Sequence, residues 1–393
     1  MIGVGSTDRR DGAGSVRTGR ATERDCWIAL SLVPGIGPAG FARLVARHGS
    51  ATAAWDAGPT AFREVMRRSP GRTADELDRF GRADPRELAR SVERVTESAG
   101  GTVVTGLDEA FPPALLTLDP RPPTLFVIGE QGAFHRRAVA VVGTRRASGY
   151  GMSVATEISD QLARAGVVVV SGLALGIDGA AHRAAIGVDA PTIAVLPSPI
   201  DRIYPPRHRP MARELLRAGG LLVSEIPIGA AVGRPDFARR NRIIAGLAEA
   251  VVVVEAPDRS GALMTAAAAT AIGRELYAVP GPIDAMSSRG CNRLIADHLA
   301  TIVTSSASLL RQIGLSRGEQ PPAVKSLSEV EGQLLRRLLE RSGSIEELVD
   351  RTGQTAASVA SALTMLEARG LVNPFGGATF HVTLAAKALT NAG

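Results

Sequence analysis

The sequence predicts an α/β protein built on a doubly wound parallel sheet, with a small helical domain before it and a winged helix after it. Three observations carry that expectation. Apolar runs recur at 138–142, 167–170, 192–196, 221–223, 250–254, 276–279 and 301–303, with helix-like segments between them. Runs so short and so continuously apolar read as strands covered on both faces, and strand-helix alternation implies right-handed βαβ units. Ahead of them the pattern is helical with short loops, and behind them three helices and a hairpin follow.

In chain order, residues 1–22 mix Gly, Ser, Arg and Asp and read as a flexible arm. Residues 23–100 form the helical domain. Within it Pro34-Gly35-Ile36-Gly37 resembles a helix-hairpin-helix turn, whose glycines can free backbone N–H groups for a DNA phosphate. A glycine-rich turn in a small helical domain is the competing reading of a single copy. Short strands with Pro-rich turns occupy 102–105 and 123–129. The strand-helix alternation then fills about 130–313. Residues 314–326, with Pro321-Pro322, form a linker. Residues 327–393 carry helices at 327–341, 345–351 and 355–368 and a hairpin at 371–382 around Gly376-Gly377.

The chain of 393 residues is long enough for two to three domains of ~100–200 residues. Of 45 basic residues only Lys325 and Lys387 are lysines. A Walker-type phosphate loop and a lysine Schiff base are therefore not expected in the body of the chain. Residues 130–313 hold 20 Arg against 15 Asp and Glu, so five of the six surplus positive charges fall there. That favours a polyanionic partner. Residues 327–393 hold 6 basic against 7 acidic residues, and the expected recognition helix (354–364) has no basic residue. A groove-reading helix normally brings Arg or Lys, so this winged helix reads as a protein-contact or regulatory module. Cys26 and Cys291 are far apart and in no CxxC pattern, which points to a reducing cytosol and no zinc cage. No signal peptide and no ~18-residue apolar run is present, so no membrane association is expected.

Ligands of doubly wound sheets bind at the carboxyl ends of strands, and there this sequence concentrates Gly, Ser, Thr and Arg. The first strand is followed by Gly143, Thr144, Arg145 and Arg146, a tight turn with a hydroxyl and planar guanidinium forks. The second is followed by Ser171 and Gly172, the fifth by Ser260, Gly261 and Thr265, both strand ends feeding helix starts. Phe237, Arg239, Arg240, Asn241 and Arg242 make the densest basic cluster, and Asn292-Arg293 repeats the Asn-Arg pair. Phosphates would be gripped by Arg145, Arg240 and Arg242, with Gly143, Ser171, Gly172, Ser260 and Gly261 as donors. Phe237, Tyr150 and Tyr204 are candidates for stacking on bases, though such residues are more often core or turn positions. An elongated phosphate-rich ligand suits this convergence better than a small metabolite. Binding should be largely sequence-independent and salt-sensitive.

Catalytic readings fare worse. There is no GxSxG elbow and no HExxH. Asp178 and His182 share a helical face as an acid/base pair or metal ligands, but no third ligand is evident, and capping by Asp178 with packing of His182 fits better. Asp201 and Glu255 are not paired by spacing. No cofactor, metal site or catalytic residue is expected.

Six ordered segments, 140–151, 170–183, 201–206, 237–247, 255–265 and 280–295, resemble the DprA/Smf family, the DNA-processing proteins of bacterial transformation. The resemblance spans about 100–312. It implies an extended Rossmann-like DNA-binding domain over 101–313, flanked by a helix-hairpin-helix/SAM-like domain and a winged helix. It also implies single-stranded DNA binding, a homodimer, and loading of the RecA recombinase with displacement of single-strand-binding protein, without catalytic turnover. The family's Gly-Ser-Arg loop falls on Gly143, Thr144 and Arg145, and its basic segment on Arg239, Arg240, Asn241 and Arg242. Two departures stand out: Pro197-Ser198-Pro199 replaces a small Gly- or Cys-containing turn, putting the pocket after the third strand in doubt, and Ala262 replaces a frequent Ser. The rival enzyme reading is a nucleotide-cleaving hydrolase of the lysine-decarboxylase-like group. Its PGGxGTxxE pattern is broken here at Pro280-Gly281-Pro282. A transcription factor led by the winged helix is the third reading.

Overall fold

The computed structural model describes residues 20–65, 74–315, 327–375, 379–383 and 386. Most of the expected arm, the linker beyond residue 315 and the Gly376-Gly377 turn lie outside them.

Nine strands form one sheet: β1 (Thr102–Thr105), β2 (Thr124–Gly129), β3 (Ala138–Val142), β4 (Val168–Ser171), β5 (Thr192–Leu196), β6 (Leu221–Ser224), β7 (Ala250–Val253), β8 (Glu275–Ala278) and β9 (Thr301–Ile302). Their spatial order is β1-β2-β6-β5-β4-β3-β7-β8-β9. The seven strands expected from apolar runs are all present and all parallel. The sheet as a whole is mixed, not purely parallel: β2 runs antiparallel to both β1 and β6. A parallel return needs a crossover of a dozen or more residues, usually a helix. The β1–β2 connection holds only a short 3₁₀ turn at Pro113–Leu115.

Alternation along β3 shows why the apolar runs are continuous. Val139 and Val141 face one layer, packed with Ile158, Leu162, Ile177 and Ala181 from the helices Gly149–Arg164 and Ile177–Gly187. Ala138, Ala140 and Val142 face the other, with Ile243, Ile244, Ala262 and Ala266 from the helices Arg234–Leu247 and Gly261–Ala271. Both faces are covered, and all five residues of β3 are apolar and buried. The chain runs outward from β3 through β4 and β5 to β6, then returns beside β3 as β7. The strand order reverses between β3 and β7, which is where such sheets open a ligand crevice.

At the N-terminal end, Thr22 and Asp25 form a capping box on the helix Glu23–Ser31. The Pro34–Gly37 turn leads into the helix Pro38–His48. Val33, just before the turn, and Ile36 within it are buried, as in a packed helical hairpin. This unit is docked on the antiparallel edge. The Trp27 indole N–H donates to Pro123 O at 2.7 Å, and Arg24 donates to Asp108 (2.9 Å), Glu93 and Val103 O (3.0 Å).

Helices Glu329–Glu340, Ile345–Thr352 and Ala356–Ala368 follow, with β10 (Gly343–Ser344), β11 (Val372–Phe375) and β12 (Thr379–Val382) in the order β10-β12-β11. That is the expected winged helix. The outward residues of Ala356–Ala368 include Ala357, Ser361, Thr364, Met365 and Glu367, with no cation. Among the described residues no helix is long and apolar enough to cross a membrane.

Candidate nucleic-acid interface

The carboxyl ends of β3 and β7 are laced together. Thr144 N–H donates to Glu255 O at 2.7 Å, and Ile177 N–H donates to Thr144 O at 3.3 Å. The Thr144 hydroxyl is buried and accepts from Arg146 N–H at 3.2 Å, so it shapes the turn. The buried Glu255 carboxylate accepts from Ser148 N–H at 2.8 Å, and Ser148 in turn caps the helix Gly149–Arg164. Gly176 stands at φ 72°, and a Cβ there would meet Thr144 O at 2.3 Å, so only glycine fits this crossing.

The lacing leaves a cleft of about 480 Å³ beside Gly143. Arg145, Arg146, Arg234 and Arg259 line it, all four exposed and none in an ion pair among the described residues. Phe237 stands in the wall, with the Arg145 guanidinium 5.2 Å from its ring centroid. Tyr204 meets Phe237 edge-on, with ring centroids 5.6 Å apart. Ser260 caps the helix Gly261–Ala271, whose positive end opens on the same cleft. Thr265 is buried in the floor. Four exposed cations, a helix N-terminus and a ring therefore converge, and the one carboxylate in the lining, Asp178, is buried against Arg240.

Several expected contacts have other duties. Arg240 is buried, and its guanidinium donates to Gly172 O (2.6 Å) and Val195 O, with Nε on Asn241 Oδ1 at 3.2 Å. Burial pushes it down to about 10, against the opposing pull of Asp178. It stays a cation at neutral pH, but its fork is occupied by carbonyls. A Cβ at Gly172 would meet Arg240 Nη1 at 2.1 Å, so that glycine makes room for the guanidinium, and its own N–H donates to Asp178 at 3.1 Å. Ser171 is buried and donates to Val141 O at 2.7 Å. Arg242 is held by Glu225 and Pro120 O. Asn241 donates to Gly261 O at 3.1 Å. Asn292 bonds both backbone groups of Gly281 (3.1 and 2.9 Å), and Arg293 pairs with Asp258 at 3.0 Å. Arg239 is exposed and leans on Asp236 at 3.5 Å. The side chains of Arg240 and Arg242, the Ser171 hydroxyl and the Gly172 N–H, expected to meet phosphates, are thus engaged in internal bracing.

Asp178 accepts from Gly172 and Ala174 N–H, a local cap, and burial raises its carboxyl. His182 accepts from Leu173 N–H at 3.3 Å, while its Nδ1 meets Thr192 Oγ1 at 2.8 Å. Because Thr192 donates its own proton to Val169 O, Nδ1 of His182 carries the hydrogen. Burial lowers His182 to about 3. Among the described residues no group of three His, Cys, Asp or Glu side chains could hold a metal. The Pro197-Ser198-Pro199 turn is folded inward: Ser198 is buried and donates to Arg202 O at 2.6 Å.

Sequence reasoning missed Arg234 and Arg259. Both had a signal: Arg259 directly precedes the Ser260 cap, and Arg234 opens the helix that carries Phe237.

Comparison with known proteins agrees with this architecture. Residues 102–314 match the family model of DNA recombination-mediator protein A, 318–378 the DprA winged helix domain, and 21–78 the DprA-like N-terminal HHH domain. Protein Smf of Escherichia coli (strain K12) is 36% identical over 327 residues, 81% of this chain and 87% of its own. The X-ray structure of DNA processing protein A from Streptococcus pneumoniae matches with a TM-score of 0.62 at 29% identity, covering 75% of this chain and 98% of that one. DNA processing protein A from Helicobacter pylori, described for its unique single-stranded DNA binding mode, matches with a TM-score of 0.50 at 26% identity, covering 54% of this chain and 95% of that one. With its central model matched over more than half its length, the chain belongs to the DNA recombination-mediator protein A family, the DprA/Smf proteins.

Proposed function

We propose that this chain is a single-stranded DNA-binding recombination mediator of the cytoplasm. It protects incoming strands, loads RecA onto them against single-strand-binding protein, acts as a homodimer and turns over no substrate. The observation that carries the reading is the cleft at the β3/β7 switch point, where Arg145, Arg146, Arg234 and Arg259 stand outside any ion pair among the described residues, around Phe237. Guanidinium forks fit phosphate oxygens two at a time. A chain of phosphates can satisfy all four, and one ring can stack on a base without reading it. The relative from Helicobacter pylori, described for single-stranded DNA binding, supports the same ligand class. The winged helix adds no cation on its outward helix, which argues against duplex reading.

The test is a titration of single- and double-stranded oligonucleotides of unrelated sequence at several salt concentrations. Four phosphate contacts at ~0.7 each give a single-strand slope of about −3 in log affinity against log salt. Single strands should bind tightly irrespective of sequence, with duplex weaker. Equal affinity for duplex, or no salt dependence, would remove the reading. Release of base or phosphate from a nucleoside monophosphate would favour the hydrolase instead.

A further inference from the structure

The strand end next to the cleft presents a second kind of surface. Tyr150, in the first turn of the helix Gly149–Arg164, has its hydroxyl anchored on Pro280 O at 3.1 Å, yet the residue is 51% exposed. Its anchor lies in the loop 280–288 after β8, which carries Ile283 at 92% and Met286 at 70% exposure. The loop is braced at both ends: Asn292 bonds the N–H and C=O of Gly281, and Gly290 N–H donates to Ala256 O at 2.8 Å. Met264, in the cleft wall, is 49% exposed. Four large apolar side chains are thus held toward solvent on braced backbone, beside four unpaired guanidiniums.

The geometry points to a base-stacking subsite formed by Tyr150 and the Ile283/Met286 loop, which receives the unstacked bases of the strand whose phosphates the cleft holds. The inference rests on the single-stranded DNA reading given above. Three arguments select a nucleobase as the occupant. The patch lies at the strand end next to the cleft, because β8 is beside β7 in the sheet and Tyr150, which follows the Arg145–Ser148 turn, is bonded to Pro280 O. From β4 to β8 are three strand steps, roughly 14 Å at ~4.8 Å each, a span that more than one nucleotide must cover. Asp284 stands between Ile283 and Met286, so phosphate is disfavoured at the tip, whereas the uncharged face of a base is not. An aromatic ring with its hydroxyl tied down loses little freedom when a base stacks on it.

The test compares wild-type protein with Tyr150→Ser, Tyr150→Phe and the double variant Ile283→Ser/Met286→Ser. The ligands are a mixed-sequence single-stranded oligonucleotide and an abasic deoxyribose-phosphate strand of equal length. Stacking of ~1–3 kcal/mol per base predicts that Tyr150→Ser weakens binding to the base-bearing strand about 5- to 140-fold. The loop variant weakens it in the same direction. The salt slope stays that of wild type, since no phosphate contact is lost. Tyr150→Phe, which keeps the ring, restores most of the affinity. All variants bind the abasic strand as wild type does. Unchanged affinity for the base-bearing strand, an equal loss on the abasic strand, or a flattened slope would each overturn the subsite. So would a changed oligomeric size with unchanged DNA affinity, which would make the patch a contact between copies. If wild-type protein binds neither strand, the single-stranded DNA reading itself fails. If it binds and the variants match it, only the subsite fails.

Discussion

Replacing Arg240 with Met separates an arginine that contacts the ligand from one that builds the site. The guanidinium is buried and donates to Gly172 O and Val195 O at the ends of β4 and β5. Met keeps the length and the apolar stem but leaves two buried carbonyls without a partner. Hydrogen bonds to a charged group contribute ~1.5–3 kcal/mol each, so the two together are worth about 3–6 kcal/mol. Removing a cation that burial has already pushed down to about 10 recovers part of that. A net loss of about 3 kcal/mol remains. For an α/β domain of this size it lowers Tm by about 6–12 °C.

The assay pairs thermal unfolding with the salt dependence of single-stranded DNA binding. Arg240→Met should unfold earlier yet keep the wild-type slope, since no phosphate contact leaves with it. Arg145→Ala should behave in the opposite way, with Tm near wild type and a slope flatter by ~0.7. An Arg240→Met protein of wild-type stability whose slope flattens by that amount would show that Arg240 reaches the ligand, and the bracing argument would be wrong.

Three further outcomes follow from the same contacts. His182 is neutral and buried at about 3, while an unfolded histidine titrates near 6.5, so the unfolded chain takes up a proton first as pH falls. Native stability from this group is full above pH 6.5 and drops below it, by about 1 kcal/mol between pH 7 and pH 5.5. In urea unfolding, the gap between wild type and His182→Gln should narrow by that amount over that interval. Gly176→Ala places a Cβ 2.3 Å from Thr144 O at φ 72°, which should cost at least ~2 kcal/mol and weaken DNA binding with it, measured by urea unfolding and titration. Trp27→Phe loses the buried bond to Pro123 O, about 1–3 kcal/mol, and should split one unfolding transition into two as the N-terminal helices detach, read by calorimetry.

The sheet was legible because β3 to β8 are buried on both faces, which forces uninterrupted apolar runs that no surface segment mimics. Strand direction was less legible. Nothing in 102–129 states which way β1 and β2 run; that depends on a connection without an α-helix and on pairing with β6, far along the chain. At the site, the loops expected after β3 and β7 line one cleft, but the depth of their side chains was not legible. Residues 239–242 read as one basic cluster, but successive helix positions turn by about 100°. Phe237, Arg240, Asn241 and Ile244 share the inward face while Arg239 points to solvent. The i, i+3, i+4, i+7 spacing of those four was visible in the sequence. It was masked by the assumption that arginine stays outside, which fails where strand-end carbonyls need a donor. Arg234 and Arg259 were passed over for a different reason: they are single arginines outside any cluster.

The buried arginine also bears on what the exposed ones can do. Gly172 O and Val195 O lie at the carboxyl ends of β4 and β5, on the edge where the ligand is expected to approach. Bare carbonyls there would present partial negative charge to a phosphate. Arg240 covers both, and its charge is felt by Arg145 beside it. Two acceptors on that edge are thereby satisfied before any ligand arrives. Because that cation is locked inside, it gives up no side-chain freedom when DNA binds, whereas Arg145, Arg146, Arg234 and Arg259 must each be ordered. The division explains an arginine-rich site in which depth, and not cluster density, decides the role. Arginines that meet carbonyls fix the shape of the cleft, and those without a partner are left for the polyanion.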